Sequence, residues 1–437
     1  MKVSRLLAGG LTALVLPLVA LTSTPAHADS SEAPVSAAWL AAKIQDDGLL
    51  HTAWGADYGL SADTLLTLDA LGGHASDVTS IADALAANPE GYISGGEWDV
   101  EGSTYAGATG KLTFTLASVG RDVRNVAGID LVERLEARVV TEGADTGRAF
   151  DFSDYGDYSN GVGQAWVTRA LIATDSELAD EALGYVLGKQ CGDGGFPTNL
   201  NEDGCNAGHD TTAYTIFALN EAKAAGTADA AVLDTAISKA VASLKTAQAS
   251  DGSFGAGDGI NSNTTGLAAW ALRANGETAA ADKAVDWIRT VYAAPASALS
   301  TEAGAIAFNV DTFTAASSAG EISSDDSDQW TRATAQAALA WLGASDPEPE
   351  PEEPNITINA PTSVIAGEEF TISASGYPEG EVVTVDLSMN GSVAGMSVAG
   401  FKFAVLGTET ADASGTISHT ATAPTAAGDY TLSLMSD

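Results

Sequence analysis

The chain has 437 residues, with 58 Asp and Glu against 19 Lys and Arg, a formal net charge of −39 in a sequence that is 45% hydrophobic. So strong a negative charge excludes nucleic acid and anionic membrane surfaces as partners. The apolar content excludes an acidic disordered chain and points to a folded protein.

Residues 1–28 have the form of a signal peptide. Lys2 and Arg5 give a basic start, Leu11 to Leu21 a short apolar core, and Ala26-His27-Ala28 a cleavage site. The core is too short for a membrane span, and no later run reaches the roughly 18 apolar residues a span needs. The mature chain is expected to begin near Asp29 and to be secreted, extracellular or cell-wall associated. In that oxidising setting Cys191 and Cys205 are expected to form a disulfide.

Residues 29–343 read as alternating helices. Small, nearly all-apolar helices open at "ADTLLTLDAL" (62), "TYAGATGKLTFTLASVG" (104), "NGVGQAWVTRAL" (160), "HDTTAYTIFAL" (209), "NTTGLAAWAL" (263) and "WTRATAQAALAWL" (330). Helices apolar on nearly every side are buried all round. Each is preceded by an amphipathic helix, marked for example by Val78, Ile81 and Leu85, by Leu131, Leu135 and Val139, or by Leu178, Ala182 and Val186. Residues 34–44 supply the first of these outer helices. Strict alternation predicts a closed ring of six hairpins, each an outer helix followed by an inner one.

Two outer-to-inner joints are nearly identical: "KQCGDGGF" (189–196) and "AQASDGSF" (247–254). The Gln is expected to cap the outer helix, Asp-Gly to turn, and the aromatic to pack under the next hairpin. Gln190, Asp193, Gly194 and Phe196, with Gln248, Asp251, Gly252 and Phe254, resemble the glutamine–tryptophan repeat of terpenoid cyclases and protein prenyltransferases, with Phe in place of Trp. "QDDGLL" at 45 looks like a third copy. The resemblance implies a mainly α fold, an α6/α6 toroid. Cobalamin-carrier proteins share that ring, and "YGLSADTLLTLDALGG" resembles them as much as the cyclases. One fold hosts many functions, so it does not fix the chemistry.

Hairpin order gathers the long outer-to-inner loops on one rim, where binding concentrates on a rigid scaffold. They carry Trp54, Tyr58, Trp98, Phe152, Tyr155 and Tyr158 among many carboxylates. This mixture can grip a glycan or another small amphipathic ligand, or a surface protein. Asp151, Asp154 and Asp157, three apart in "DFSDYGDYSNG", offer oxygen ligands for calcium, although their spacing is not that of the twelve-residue calcium loop.

"NEDGCNAGHD" (201–210) admits several readings. Asp203-Gly204-Cys205 resembles the zinc-binding Asp-x-Cys pair of prenyltransferases, but the later His of that family is missing and Cys205 has Cys191 as a partner. Gly208-His209-Asp210-Thr211-Thr212-Ala213 resembles the acid segment of class II terpene cyclases, in which the middle Asp protonates substrate. Only that Asp, Asp210, is kept, without partner carboxylates to hold an acidic proton. Asp63 before Thr64 and Asn263 before Thr264 stand at the same place, so all three are expected to be helix N-caps. The plain reading is a stapled loop and a capped helix, with no zinc or other cofactor.

"ASDPEPEPEEP" (344–354) is an extended, self-repelling linker of roughly 3 Å per residue. After it, "NITINAP", "EEFTISASGY", "EVVTVDLSM", "GTISHTATAP" and "DYTLSLMSD" alternate with period two, which predicts a small all-β, immunoglobulin-like sandwich over 355–437, expected to be truncated or to have its edge completed by another chain. The functional expectation is a non-catalytic secreted or cell-surface binder that uses the acidic, aromatic rim. The alternative is an enzyme on the same toroid, of degenerate isoprenoid chemistry or with a rim carboxylate pair that cleaves glycan.

Overall fold

A computed structural model describes residues 30–200, 205–256, 259–346, 355–393, 396–426 and 428–436. The expected leader, most of the linker, and Asp203 of the zinc reading lie outside these residues. The chain divides after Asp346 into two units.

The first unit is helical. Six inner helices, α2 (Tyr58–Leu71), α5 (Ala106–Ser118), α7 (Gly161–Ala173), α9 (His209–Ala225), α11 (Ser262–Ala274) and α14 (Ser327–Ala337), touch their neighbours in that order, and α14 closes back on α2. Outside them lie α1 (Glu32–Ala41), α3 (Ala75–Ala87), α6 (Leu131–Glu136), α8 (Ala179–Gly188), α10 (Ala230–Ala247) and α12 (Thr278–Arg289). Two further helices, α4 (Glu90–Ile93) and α13 (Val310–Ala319), interrupt stretches expected to be loop. Outer helix α6 ends at Glu136, short of the expected stripe to Val139. All five outer helices that follow an inner one pack mostly against that helix rather than against the inner helix they lead into.

Small residues let the inner helices approach closely. A Cβ on Gly110 of α5 would lie 2.8 Å from the backbone of Val167 in α7, and one on Gly107 would meet Gly163. The outer-to-inner joints share a second device. Gly48, Gly147, Gly194, Gly252 and Gly304 all have positive φ and press on a backbone carbonyl of the next outer helix. Two residues later a backbone N–H donates to an inner-helix side chain. The pairs are Leu50 to Ser61 Oγ (2.9 Å), Ala149 to Gln164 Oε1 (2.7 Å), Phe196 to Thr212 Oγ1 (3.0 Å), Phe254 to Thr265 Oγ1 (3.0 Å) and Ile306 to Thr334 Oγ1 (2.8 Å). Gln190 and Gln248 do not cap their own helices as expected. Their amides donate to the turn, at Gly194 O and Gly252 O, and to the next outer helix, at Ala236 O and Ala280 O, all within 3.0 Å. Phe196 and Phe254 are buried as expected.

Three two-stranded ribbons decorate the joints: β1 (His51–Thr52) with β2 (Gly55–Ala56), β3 (Phe196–Pro197) with β4 (Ala207–Gly208), and β5 (Gly255–Ala256) with β6 (Gly259–Ile260). The Cys191–Cys205 disulfide, with Cα atoms 5.4 Å apart, closes the loop that carries β3.

The second unit has two antiparallel three-stranded sheets. One has the order β11-β8-β7 and the other β10-β9-β12, where β7 is Thr357–Asn359, β8 Glu369–Ser375, β9 Val382–Val393, β10 Met396–Thr410, β11 Thr416–Thr422 and β12 Tyr430–Ser436. Ile372 and Ile417 of the first sheet and Val383 and Val385 of the second share one small core. Strand β10 has no counterpart among the expected strands.

Candidate functional site

The bond from each joint to its inner helix fixes the register of the inner ring, so equivalent positions can be read off directly. Thr109 of α5 holds the sixth such place, since it returns its hydroxyl to Tyr105 O as Thr212 does to Gly208 O. Two residues further along stand Asp63, Lys111, Trp166, Tyr214, Leu267 and Gln336. They make a level inside the ring.

Contacts run round most of that level. Lys111 Nζ lies 2.6 Å from Asp63 Oδ1. Gln336 donates to Asp63 Oδ2 at 3.2 Å, and Asn263 donates to Gln336 at 2.8 Å. Lys111 also sits 5.7 Å from the centre of the Trp166 ring, which meets Tyr214 at 5.2 Å. Asp63 and Lys111 keep partial exposure in helices whose neighbouring residues are buried. The level therefore faces a lumen along the ring axis.

Charge at this level is settled internally. Burial opposes the charge of Lys111, but Asp63 beside it, with further negative neighbours, holds its pKa above the ordinary value. Burial, reinforced by the charges of Asp63 and Asp210, pushes the Tyr214 phenol well above its ordinary value. At neutral pH the level thus offers the Lys111 ammonium and the neutral Tyr214 phenol, beside the Gln336 amide and the Asp63 side chain that both Lys111 and Gln336 already engage.

One turn nearer the inner-helix N-termini stand Gly59, Gly107, Val162, Asp210, Asn263 and Arg332. This corrects the expectation that Asp63, Asp210 and Asn263 are N-caps. The caps are Asp57 for α2, Asn261 for α11 and the backbone of Gly208 for α9. Asp210 lies inside the first turn of α9, four residues before Tyr214, and Asp63 in the second turn of α2. Asp57 also pairs with Arg332 across the α14–α2 seam. None of the middle-level contacts was read from the sequence. The signal was there: a charged Asp63, Lys111 or Arg169 in the middle of a helix apolar all round has no solvent face to occupy.

The rim aromatics divide. Tyr58 belongs to the scaffold, because it stacks with Tyr92 at 6.5 Å and its hydroxyl accepts from Asn88. Trp54 stands at the β1–β2 tip with 97% of its surface exposed, and the neighbouring Ala53 N–H donates to Asp328 of α14. Trp98, Phe152, Tyr155 and Tyr158 lie on two loops that are joined to each other. Tyr155 Oη donates to Trp98 O at 2.6 Å, Asp154 N–H to Asp99 at 2.9 Å, and Thr104 pairs with Phe152 as an antiparallel bridge. Trp98, Tyr155 and Tyr158 are 78%, 64% and 73% exposed.

Asp151, Asp154 and Asp157 do not converge on a common point. Asp151 accepts from Ala106 N–H at the start of α5 and from Tyr158 N–H, while Asp157 accepts from Asp151 and Ser159 N–H and pairs with Arg148. These bonds organise the loop. Among the described residues no three His, Cys, Asp or Glu side chains are placed to hold a metal ion. His51 and His74 bond locally, to Asp47 and Asp77, and His209 bonds Gly255 O on the next joint. No described helix is long and apolar enough to cross a membrane.

No family model and no curated protein matches the chain in sequence. In structure it is similar to a type II terpene cyclase from Scytonema solved with geranylgeranyl dihydroxybenzoate, at a TM-score of 0.50 and 14% identity over 73% of this chain and 97% of that one. It is also similar to a possible GH105 family member from Klebsiella pneumoniae, at 0.48 and 13% over 71% and 92%, and to a glycosidase in complex with glucose, at 0.45 and 13% over 74% and 98%. At such identity the likeness is one of fold, and the helical unit is a terpenoid-cyclase-like α6/α6 toroid.

Proposed function

We propose that the chain is a secreted or cell-surface protein that binds a glycan on the rim of its toroid, through Trp98, Phe152, Tyr155 and Tyr158, without turning it over. The observation that carries this reading is the exposure of several aromatic rings on two loops bonded to one another. Single exposed apolar residues are ordinary, whereas a group of them on a braced surface marks a binding site. Aromatic faces cover the apolar faces of a sugar ring, and the flanking Glu97 and Glu101 accept from its hydroxyls. A Pro/Glu linker and an immunoglobulin-like second unit would carry the toroid away from its point of attachment.

Cyclase chemistry fits less well. It calls for a free acid at the end of an apolar, aromatic cavity. Here Asp63 is neutralised by Lys111, and Arg169 lies over the Phe114, Trp166 and Phe217 rings. One observation keeps an enzyme in view: the charges of Asp63 and Asp210 both act on Tyr214, so two carboxylates lie near one phenol.

Titration against an array of bacterial and plant cell-wall oligosaccharides, followed by tryptophan fluorescence, tests the proposal. Trp98→Ala and Tyr158→Ala should each weaken a detected glycan about tenfold, the loss of about 1.4 kcal/mol of ring-face contact. Asp210→Asn should leave the affinity unchanged. Release of shorter sugars by the wild type, lost in a folded Asp210→Asn or Asp63→Asn variant, would replace the binder with an enzyme.

A further inference from the structure

Five residues beyond the bonded position lies a lower level: Leu66, Phe114, Arg169, Phe217 and Trp270 in their inner helices, with Leu339 in the short 3-10 helix that follows α14. Only one is charged. The Arg169 guanidinium carbon lies 4.0 Å from the centre of the Phe114 ring, 4.4 Å from Trp166 and 5.7 Å from Phe217. Glu221 clamps it from α9, with Nε at 3.1 and 3.0 Å from the two carboxylate oxygens and Nη2 at 2.7 Å from Oε1. Arg169 is 5% exposed.

One turn further along stand Ala70, Ser118, Ala173, Glu221 and Ala274. Glu221 is the only charged residue of these, and the others are small. Ala70, Ser118, Ala173 and Glu221 keep partial exposure and Ala274 is exposed. The inner helices thus end, opposite the rim, in a collar of small residues beside one carboxylate. Above the collar come three aromatic faces from three helices.

A planar cation fits that combination. Aromatic faces attract a guanidinium through the ring quadrupole, and the carboxylate accepts its paired N–H groups. Every group in contact with the Arg169 head, apart from Trp166 on its own helix, comes from α5 or α9. We propose that the lower lumen is a guanidinium-binding site and that Arg169 is its built-in occupant. The head fills a receptor assembled by other helices, and its stem is only a tether. Seated in this way, the head ties α5, α7 and α9 together below the Asp63–Lys111 level.

The test is chemical rescue in the full chain. Arg169→Ala leaves Glu221 facing three rings and an empty head-sized space, and it should lower Tm by several degrees. Ethylguanidinium at millimolar concentration should restore part of that loss with a saturable dose response, and quench or shift tryptophan fluorescence as Trp166 is covered. The uncharged isostere ethylurea should not, and the wild type should show no saturable response because its site is filled. Adding Glu221→Gln to Arg169→Ala should abolish the rescue. Should Arg169→Ala not fold, Arg169→Met keeps the volume of the stem and serves in its place. A folded variant that gives no saturable response, or an equal response to ethylurea, overturns the proposal and reduces Arg169 to an ordinary ion pair. A saturable response in the wild type at the same concentrations overturns it too, because the built-in head would then not occupy the site.

Discussion

Gly252 and Gly226 both sit in the left-handed region, at φ +92° and +74°, yet the two positions have different demands. Gly226 ends α9 in open space, whereas a Cβ on Gly252 would run into the backbone carbonyl of Lys283. Gly226→Ala therefore pays only the backbone penalty and should cost about 1 kcal/mol. Gly252→Ala must also push α12 outward and should cost about 3 kcal/mol or more. Urea midpoints of the two variants check this, and equal losses would mean the seam is not tight. A second residue-scale outcome concerns pH. Burial works against the Glu32 charge, but hydrogen bonds from Arg289 and Ser30 outweigh it and hold the carboxyl below its ordinary value of 4.5. A lowered folded pKa means that the contribution is complete above the unfolded value and is lost as pH falls through the folded one. Glu32→Gln should thus destabilise by about 2 kcal/mol at pH 7 and flatten the acid limb of a Tm-versus-pH curve below about pH 4.5.

The elements were more legible than the residues that use them. A period of three to four in the outer helices and small apolar runs in the inner ones are direct consequences of one wet face and none, so the alternation survives in composition alone. Helix starts do not. Asp63 reads as a cap because Thr and two Leu follow it, while the true cap, Asp57, is hidden in the Gly- and Tyr-containing "GADYGL" that precedes it. The error displaced Asp63 from the lumen to the rim and concealed the Lys111 pair. Strand β10 escaped for another reason: its register against β9 shifts between Val398 and Phe401, between Lys402 and Ala404, and between Val405 and Gly407, so its sequence keeps no unbroken period of two. The glycine seams at Gly147 and Gly304 lack the Gln-x-x-Asp frame, so only geometry groups them with Gly194 and Gly252. At this scale the disulfide carries the prediction. Cys191 and Cys205 are 14 residues apart, and a loop of that size contributes about 3 kcal/mol in the chain-entropy account. Cys191→Ser/Cys205→Ser should lower the urea-derived stability by about that amount while helical circular dichroism is unchanged, since the joint at Phe196 keeps its own bond to Thr212.

Across the whole molecule the formal charge of −39 sets two electrostatic effects against each other. Most carboxylates stand on the surface, and their mutual repulsion destabilises the compact state. Salt weakens that repulsion, because the Debye length falls from about 30 Å at 0.01 M to about 10 Å at 0.1 M. Salt also weakens exposed attractive pairs such as Lys223–Asp234 and Lys245–Glu277, but these contribute at most about 1 kcal/mol each. The pairs that matter most inside the ring, Asp63–Lys111 and Arg169–Glu221, are largely shielded from solvent and so from its ions. Repulsion is therefore the part that salt removes. The Tm should rise as NaCl is raised from about 0.01 to about 0.5 M, most steeply below about 0.1 M where the Debye length still spans neighbouring carboxylates. Calorimetry at pH 7 in chloride, repeated with an equal ionic strength of sulfate to separate screening from surface exclusion, measures it. A fall in Tm over the same range would show that surface ion pairs outweigh the repulsion, and that the acidic surface is organised by its few cations rather than burdened by its many anions.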